Sequence, residues 1–434
     1  MRKVFLAVTS VFLLLNAVVT PEEARQWRED LHFAAVQMEK MHKNLFHSLT
    51  REQFASMVRA LDAKIPRLER HQIIVEMAKI AAAVGDGHTN LAPTRDPKIG
   101  FRTLPIALYF FEDGLFIRAV HRSQASLLGA KVVRIGNADV KTAYAAVKTM
   151  ISRDNEQGVL FWAPQYLAMP EILHALGLIQ DMEAVPITLE SGATVTLHPL
   201  GPAEMMPPDT DMTWSRRADW IDARGESDPL WLQDAKSPAR MEVLAGTKTL
   251  YVQLNQISDQ LTKFAEAMRQ KIESDGIDRL ILDLRLNRGG NGDNNVPVLR
   301  AIIQSQRIDQ DGRLFCIIGR GTFSAAQSLA NQLEKYTHVT FVGEPSGSKG
   351  NAFGDSRKII LPNSGITVRA SIFYWQEWFP LDTRDATIPK IAAPLTFDDY
   401  HKNVDPALAA ISSATRSSSA RESKARSRPV RQVY

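Results

Sequence analysis

Three apolar segments in the second half of the sequence, each followed by glycines, constrain the fold more than any other feature. The first runs Leu-Asp-Leu-Arg-Leu-Asn-Arg-Gly-Gly over Leu282–Gly290. The second, Leu314–Ile318, is followed by Gly-Thr-Phe-Ser-Ala-Ala-Gln at Gly321–Gln327. The third, Val339–Val342, is followed by Gly-Glu-Pro-Ser-Gly-Ser-Lys-Gly, which ends at Gly350. Because helical patterns alternate with these strands, the sequence predicts an α/β fold with largely parallel strands.

Ser324 stands at the predicted turn from a strand into a helix, where it is a candidate nucleophile. A serine hydroxyl attacks a carbonyl efficiently when a neighbouring base takes its proton, and a desolvated Lys349 is a candidate for that base. The first-turn amide of Ala325 and an amide at Gly289 or Gly290 would form the oxyanion hole. Taken singly, the serine is better explained as a helix cap and the lysine as a solvated loop residue. The combination favours catalysis.

These motifs resemble those of peptidase family S41, which includes the carboxy-terminal-processing (tail-specific) proteases and their tricorn-core relatives. The matching positions are Asp283-Leu284-Arg285, Asn287, Gly289-Gly290, Thr322-Phe323-Ser324-Ala325-Ala326, Gly343-Glu344, Ser346 and Ser348-Lys349-Gly350. The resemblance covers roughly residues 240–411. It implies a crotonase/ClpP-like core, a protein or peptide substrate, and a catalytic dyad of Ser324 and Lys349. It implies no cofactor.

His88 is an alternative base, since it lies in a Gly-Asp-Gly-His-Thr turn at Gly85–Thr89. Many S41 relatives carry a similar turn, and the tricorn-type branch uses a histidine as base. A histidine needs little pKa shift for this role near neutral pH. In the competing interpretation, Asp86 and His88 only brace the turn through side-chain hydrogen bonds. Phe353 stands where some relatives carry a glutamine that orients the lysine, so both Lys349 and His88 stay open as the base.

The chain divides into six predicted segments by composition and periodicity. They are a signal peptide at 1–20, a helical region with the Asp-Gly-His turn at 21–99, a small PDZ-like or β module at 100–200, an irregular linker or lid at 201–240, an S41-type catalytic domain at 241–411, and a disordered basic tail at 412–434. The middle module rests on a hairpin signal at Asp113-Gly114 and on short alternating strands. The linker is rich in proline, aspartate, arginine and tryptophan.

The first residues have the layout of a secretory signal peptide. Arg2 and Lys3 precede an apolar run, Val4–Leu15, which is too short for a comfortable membrane span. We therefore expect an extracytoplasmic protein, periplasmic or secreted, with no integral membrane segment after cleavage.

The charge distribution gives no support for a nucleic-acid partner. The net charge is +4, but residues 416–434 hold six Arg or Lys and a single Glu. The basic character is therefore concentrated in a tail that reads as solvated. No phosphate-binding loop and no metal-binding motif of His or Cys is present, so neither a cofactor nor a metal is expected. The single cysteine, Cys316, lies in an apolar strand and is expected to be buried.

The sequence thus predicts a serine endopeptidase that uses Ser324 with Lys349, or else with His88. Whether it is tail-specific stays open. The main alternative is a non-catalytic protein of the same fold that binds a hydrophobic ligand or a peptide. A third interpretation is a hydrolase of non-peptide substrates with the same nucleophile.

Overall fold

The computed structural model describes residues 18–94, 96–201 and 219–414. Most of the predicted signal peptide, part of the predicted linker and the tail beyond Ala414 lie outside the described residues. Within the described part, no helix is long and apolar enough to cross a membrane.

Three helices form the amino-terminal region, as the apolar spacing predicted. They are α1 (Pro21–Met41), α2 (Arg51–Lys64) and α3 (Arg70–Ala83). The first begins with a capping box, in which Thr20 and Glu23 satisfy each other's backbone amides. The helices share one apolar core with the middle of the chain, so the turn that follows α3 is fixed from two sides.

The middle of the chain contains two small antiparallel sheets and three helices. The elements are β1 (Ile106–Phe111), β2 (Gly114–His121), β3 (Val132–Ile135), β4 (Ala138–Asp139), α4 (Val140–Lys148), α5 (Glu156–Tyr166), α6 (Pro170–Ala175), β5 (Val185–Leu189), β6 (Thr194–Leu197) and β7 (Trp220–Asp222). The sheets have the orders β1-β2-β7 and β4-β3-β5-β6. The prediction of a mostly β module missed α5 and α6. Pro164 inside α5 hides its helical pattern, while Asn155 caps the helix by accepting from the Gly158 amide at 3.2 Å.

A six-stranded sheet forms the centre of the second half. The elements here are β8 (Ala239–Val243), β9 (Thr249–Leu254), α7 (Leu261–Ser274), β10 (Arg279–Asp283), α8 (Asn295–Gln304), β11 (Leu314–Ile318), α9 (Ala325–Tyr336), β12 (Thr340–Gly343), β13 (Asn351–Ile360), β14 (Thr367–Gln376), β15 (Ile391–Ala392), α10 (Phe397–His401) and α11 (406–414). The strand order is β15-β12-β11-β10-β9-β8, and only β8 is antiparallel to its neighbour. The predicted mixed α/β fold with largely parallel strands is therefore confirmed.

Both faces of this sheet are covered, which explains why its strands read as continuous apolar runs. One face packs against α7, α8 and α9. The other face buries Tyr251 and Phe315 together with Ile411 of α11. Cys316 is completely buried, as predicted.

β13 and β14 form a long antiparallel hairpin, whose ladder runs from the pair Ile360 and Thr367 next to the turn to the pair Asn351 and Gln376. Asn90 bridges to Arg369 of this hairpin, so the hairpin lies directly against the Asp-Gly-His turn.

Candidate active site

Ser324 lies at a strained turn between β11 and α9. Its backbone has φ 56° and ψ −128°, an uncommon conformation for a residue with a side chain. The preceding loop is held in place because Thr322 Oγ1 donates to the Leu284 carbonyl at 2.9 Å and the Phe323 amide donates to the Asn287 carbonyl at 3.1 Å. The Ser324 side chain makes no capping bond to the helix. The helix-cap interpretation of this serine is therefore wrong, and its hydroxyl is available for another partner.

That partner is His88, whose Nε2 lies 3.0 Å from Ser324 Oγ. The two residues are 236 positions apart in the chain. The His88 ring also stacks on Phe323, with centroids 4.6 Å apart and planes 25° from parallel. The structure thus brings together the candidate nucleophile and one of the two candidate bases.

Asp86 fixes the turn that carries His88. Its Oδ1 accepts from the backbone amides of His88 at 3.0 Å and Thr89 at 2.7 Å, and from Ser371 Oγ at 2.7 Å. Its Oδ2 lies 2.9 Å from His42 Nε2. Burial alone would raise the pKa of Asp86, but the hydrogen bonds, led by that from His42, hold it far below its usual range. Asp86 therefore braces the turn as an ionised carboxylate, as the structural interpretation predicted for it.

A second buried carboxylate, Asp154, lies next to the same turn. No sequence motif indicated this residue. Its Oδ1 accepts from the Gly87 amide at 2.7 Å, and its Oδ2 accepts from the Ser348 hydroxyl. Burial raises the pKa of Asp154 even though the neighbouring His88 opposes the shift. Asp154 stands in a polar Ser-Arg-Asp-Asn stretch between α4 and α5, in a region that the sequence assigned to a separate module.

Burial also lowers the pKa of the His88 imidazole, and the attraction of Asp154 and Asp86 only partly offsets this effect. The imidazole is therefore neutral near pH 7, which is the state that a general base requires. Its Nδ1 is buried without a hydrogen-bond partner among the described residues. A proton accepted by this ring would be stabilised mainly by the nearby carboxylates.

The two glycines beside the nucleophile are required by close approach. A Cβ on Gly289, at φ 98°, would lie 2.8 Å from Ser324 Cβ and 2.9 Å from the Ala325 nitrogen. A Cβ on Gly290, at φ 146°, would lie 1.9 Å from the Ile257 carbonyl oxygen. These contacts bring the 289–290 segment to the start of α9 as the motif predicted.

The amides of this segment differ in availability. The Gly289 amide donates to Asn287 Oδ1 at 2.9 Å. The amides of Gly290 and Ala325 donate no hydrogen bond to any of the residues that the structure describes. Of the predicted oxyanion donors, these two are therefore the ones with a free N–H.

Lys349 does not lie where the predicted dyad requires it. Its Nζ pairs with Asp385 at 3.2 Å, the lysine side chain is 39% exposed, and no hydrogen bond joins it to Ser324. Lys349 instead lines another cavity, of about 500 Å³, whose described lining includes Asp86 and Asp154 but neither Ser324 nor His88. The inward-pointing residue of this loop is the preceding one, Ser348, which reaches Asp154. Neighbouring side chains of an extended segment point to opposite sides, so the loop approaches the site while the lysine faces away.

Asp283, the acidic residue of the first motif, has a structural role in the fold. It accepts from Arg285 Nε at 3.0 Å and from the Tyr251 hydroxyl at 2.7 Å. Arg285 also pairs with Asp405 at 2.9 Å. This buried network ties β9 and β10 to Asp405, just before α11.

One group among the described residues, His42, His47 and Asp86, has ligand atoms within 4.8 Å of one another, as a metal site would. The sequence motifs did not reveal it. However, the Asn44 amide donates to His42 Nδ1 at 3.0 Å, so the proton of a neutral His42 is on Nε2 and points at Asp86. A metal at Nε2 would need the opposite tautomer. The group fits a hydrogen-bonded brace better than a metal centre.

Comparison with known proteins agrees with the predicted family. Residues 248–311 match the family model described as Peptidase family S41. The structure of mature CPAF is similar, with a TM-score of 0.59 and 13% identity over 91% of this chain and 97% of that chain. The structure of mature CPAF complexed with lactacystin has a TM-score of 0.60 and 12% identity, over 91% of this chain and 98% of that chain. A photosystem II D1 C-terminal processing protease has a TM-score of 0.39 and 14% identity, over 91% of this chain and 97% of that chain.

No curated protein shows a significant match to the sequence. The family match confirms the predicted resemblance, and the likeness to CPAF shows a shared fold.

Proposed function

We propose that this chain, a serine peptidase of family S41, cleaves peptide bonds with Ser324 as nucleophile and His88 as general base. The observation that carries the proposal is the 3.0 Å contact between Ser324 Oγ and His88 Nε2 at a strained turn from strand to helix. A nucleophile and a base within hydrogen-bond reach, with the base held by its surroundings, are the parts that serine catalysis needs. The Lys349 dyad is not part of this proposal, because the ammonium of that residue is exposed and salt-bridged.

In the first step, Ser324 Oγ attacks the carbonyl carbon of the peptide bond while its proton passes to His88 Nε2. The carbonyl oxygen becomes an oxyanion, which accepts hydrogen bonds from the amides of Ala325 and Gly290. His88 then gives its proton to the leaving amine, and the C–N bond breaks. In the second half, a water oxygen attacks the acyl carbon while a proton of the water passes to His88. The ester C–O bond then breaks, and His88 returns the proton to Ser324 Oγ, which releases the new carboxylic acid.

Asp154 is the group that compensates the charge of the imidazolium in this scheme. It lies beside the turn, bonded to the Gly87 amide at 2.7 Å, and its interaction with His88 is favourable when the ring is protonated. Its effect is greatest in the transition state, where the proton has moved to His88. Asp154 is therefore a positioning and charge-stabilising residue rather than a proton acceptor.

The finer details of the fold follow from the same family relationship. We propose that the six-stranded sheet with its helices is a crotonase/ClpP-like core and that β3 to β6 with α4 form a degenerate PDZ-like module. Residues 152–155 leave this module toward the site, which gives it a role in placing Asp154. A location outside the cytoplasm stays a prediction.

The test is hydrolysis of casein by the full chain and by three variants. Ser324→Ala and His88→Ala should each lower kcat by about 10³-fold, the size typical for loss of a nucleophile or a general base. Lys349→Ala is an equally simple truncation in the loop after β12. Its kcat should stay within a few-fold of that of the wild type. Labelling by a fluorophosphonate should require Ser324 and slow strongly without His88.

Two outcomes would contradict this assignment. Loss of activity with Lys349→Ala and retention with His88→Ala would restore the dyad that the sequence suggested. Wild-type activity no higher than that of Ser324→Ala, together with no fluorophosphonate labelling, would favour the non-catalytic binding protein.

A further inference from the structure

A cavity of about 80 Å³ lies beside the candidate active site. One wall is formed by His88, which contacts Ser324, and by Phe323, which precedes Ser324 in the chain. Another wall is apolar and includes Met150 and Trp162. Apart from His88, the charged side chains among the described lining residues are two arginines. A small cavity with apolar walls and cationic groups suits a short side chain that ends in an anion.

Arg288 is held rigidly at this cavity. Its guanidinium carbon lies 4.2 Å from the ring centroid of Phe161, 4.7 Å from that of Phe323 and 5.1 Å from that of Trp162. Contact with three rings restricts the motion of the guanidinium, which reduces the entropy lost when it binds a carboxylate. Arg288 directly precedes Gly289 in the chain, and its guanidinium carbon lies 4.7 Å from the ring of Phe323, the residue before Ser324.

Arg369 reaches the cavity from β14. Its backbone exchanges two hydrogen bonds with Asn90, at 2.8 and 3.1 Å, and Asn90 is two residues from His88. No carboxylate among the described residues forms an ion pair with its guanidinium. Asp355, which influences His88 electrostatically, is exposed and does not line the cavity.

Asp154 does not neutralise the cavity either. Its two oxygens are directed to the Gly87 amide and the Ser348 hydroxyl, and it is absent from the lining. Among the lining residues that the structure describes, the cavity thus has two arginines and no carboxylate. A planar guanidinium binds a carboxylate with two parallel hydrogen bonds.

We propose that this cavity is a specificity pocket for a substrate carboxylate, namely the side chain of an aspartate or glutamate next to the scissile bond. This inference rests on the proposed peptidase function, because its nearness to Ser324 and His88 is what ties the pocket to the scissile bond. The methylene groups of such a side chain would contact Met150 and Trp162, and the carboxylate would bind Arg288 and Arg369. A free carboxy terminus carries the same chemistry, and the experiment separates the two sources.

The experiment first maps cleavage of casein by mass spectrometry, then measures kcat/KM on synthetic peptides with matched changes. At each position flanking the cleaved bond, Asp is compared with Asn and Glu with Gln, which have the same shape without the charge. A second arm compares peptides that end in a free carboxylate with the same peptides ending in an amide. We expect at least a 10-fold preference for the acidic residue at one flanking position, and less than a 3-fold effect of the terminal group.

Variants of Arg369 assign the preference to the pocket. Arg369→Gln should reduce the acid-to-amide ratio to below 3, and Arg369→Glu should shift the preference toward lysine at that position. Arg369→Lys should keep part of the ratio, because it retains the charge but not the two-pronged hydrogen bonding. Arg59→Gln, on the exposed face of α2, is the matched control and should leave the ratio unchanged.

Binding to Ser324→Ala makes the test independent of catalysis. The same peptide pairs are titrated while the fluorescence of Trp162 in the pocket wall is followed, with Trp162→Phe to assign the signal. Tighter binding of the acidic peptide, lost in Arg369→Gln, supports the pocket even if the wild type cleaves nothing, which would refute the peptidase function alone. Equal kcat/KM for acidic and neutral peptides at every position in an active enzyme, or equal binding in the inactive one, would overturn the pocket. A preference for the terminal carboxylate alone would reassign its ligand.

Discussion

Gly289→Ala tests whether close packing of the 289–290 segment against the nucleophile controls catalysis. The new Cβ would lie 2.8 Å from Ser324 Cβ and 2.9 Å from the Ala325 nitrogen, distances that real Cβ atoms essentially never show. At φ 98° the residue would also leave the region that alanine prefers, at a cost of about 1–2 kcal/mol. With the overlap included, we expect the unfolding free energy to fall by about 2–4 kcal/mol.

The effect on activity should exceed the effect on stability. The overlap falls on Ser324 and on the first amide of α9, and these atoms cannot retreat easily because the loop before them is hydrogen-bonded to Leu284 and Asn287. A displacement on the order of 1 Å at a nucleophile lowers the rate by about 10²-fold. We therefore expect kcat for peptide hydrolysis to fall by about 10²-fold in protein that is still folded, with fluorophosphonate labelling slowed in parallel.

Gly312→Ala is the matched control. Gly312 also has a positive φ, 75°, but a Cβ there would meet no heavy atom within 4 Å. It should lower the unfolding free energy by about 1 kcal/mol from backbone strain and leave kcat unchanged. The reasoning is refuted if Gly289→Ala keeps kcat within 3-fold of wild type, or if both variants lose activity only in proportion to their unfolded fractions, as measured by circular dichroism and thermal melting.

Three further predictions concern charge. Asp154→Asn keeps the shape of the carboxylate but removes its charge, so kcat should fall by about 10²-fold with little change in KM, as steady-state kinetics can show; an unchanged kcat would remove Asp154 from the proposed site. Because burial lowers the pKa of His88, the acid limb of kcat/KM should have its midpoint below the ordinary histidine value, and a midpoint above that value would contradict the buried neutral base. Burial likewise lowers the pKa of His71, which lies 2.8 Å from His174, to about 4. Because the unfolded state then binds the proton more readily, the unfolding free energy should fall by about 2 kcal/mol from pH 7 to pH 5. In urea titrations of His71→Gln, the fall over this pH range should be smaller by about 2 kcal/mol.

The strands and helices of the second half of the chain were predictable because each carries a local signal. The apolar run of β11 has the bounds expected from the sequence, Leu314–Ile318. The family motif placed Ser324 and Gly289 together, and the structure puts them in contact. These features depend on residues near one another in the chain, which periodicity and turn chemistry report directly.

The identity of the partner of Ser324 was not predictable in the same way. His88 lies 236 positions away, and nothing in its turn reveals which residue it will face. In the loop after β12, Ser348 rather than Lys349 points inward, a choice between adjacent positions that depends on the contact with Asp154. Asp154 itself lies in a short polar stretch that resembles a loop, since its burial comes from packing between two regions of the chain. Long-range contacts of this kind leave no local pattern.

The two buried carboxylates near His88 have opposite pKa shifts, and this difference separates their roles. Asp86 accepts two backbone amides and the Ser371 hydroxyl and lies 2.9 Å from His42 Nε2, so its charge is stabilised by fixed donors and its pKa is lowered. Asp154 has fewer donors, and burial raises its pKa. The charge of Asp86 is therefore held mainly by fixed donors, whereas the charge of Asp154 is stabilised most when His88 carries a proton. Titratable groups whose environments move their pKa values apart commonly divide the work of a site between them. Asp86 is thus suited to hold the turn throughout the reaction, and Asp154 to respond when the proton of Ser324 arrives on His88.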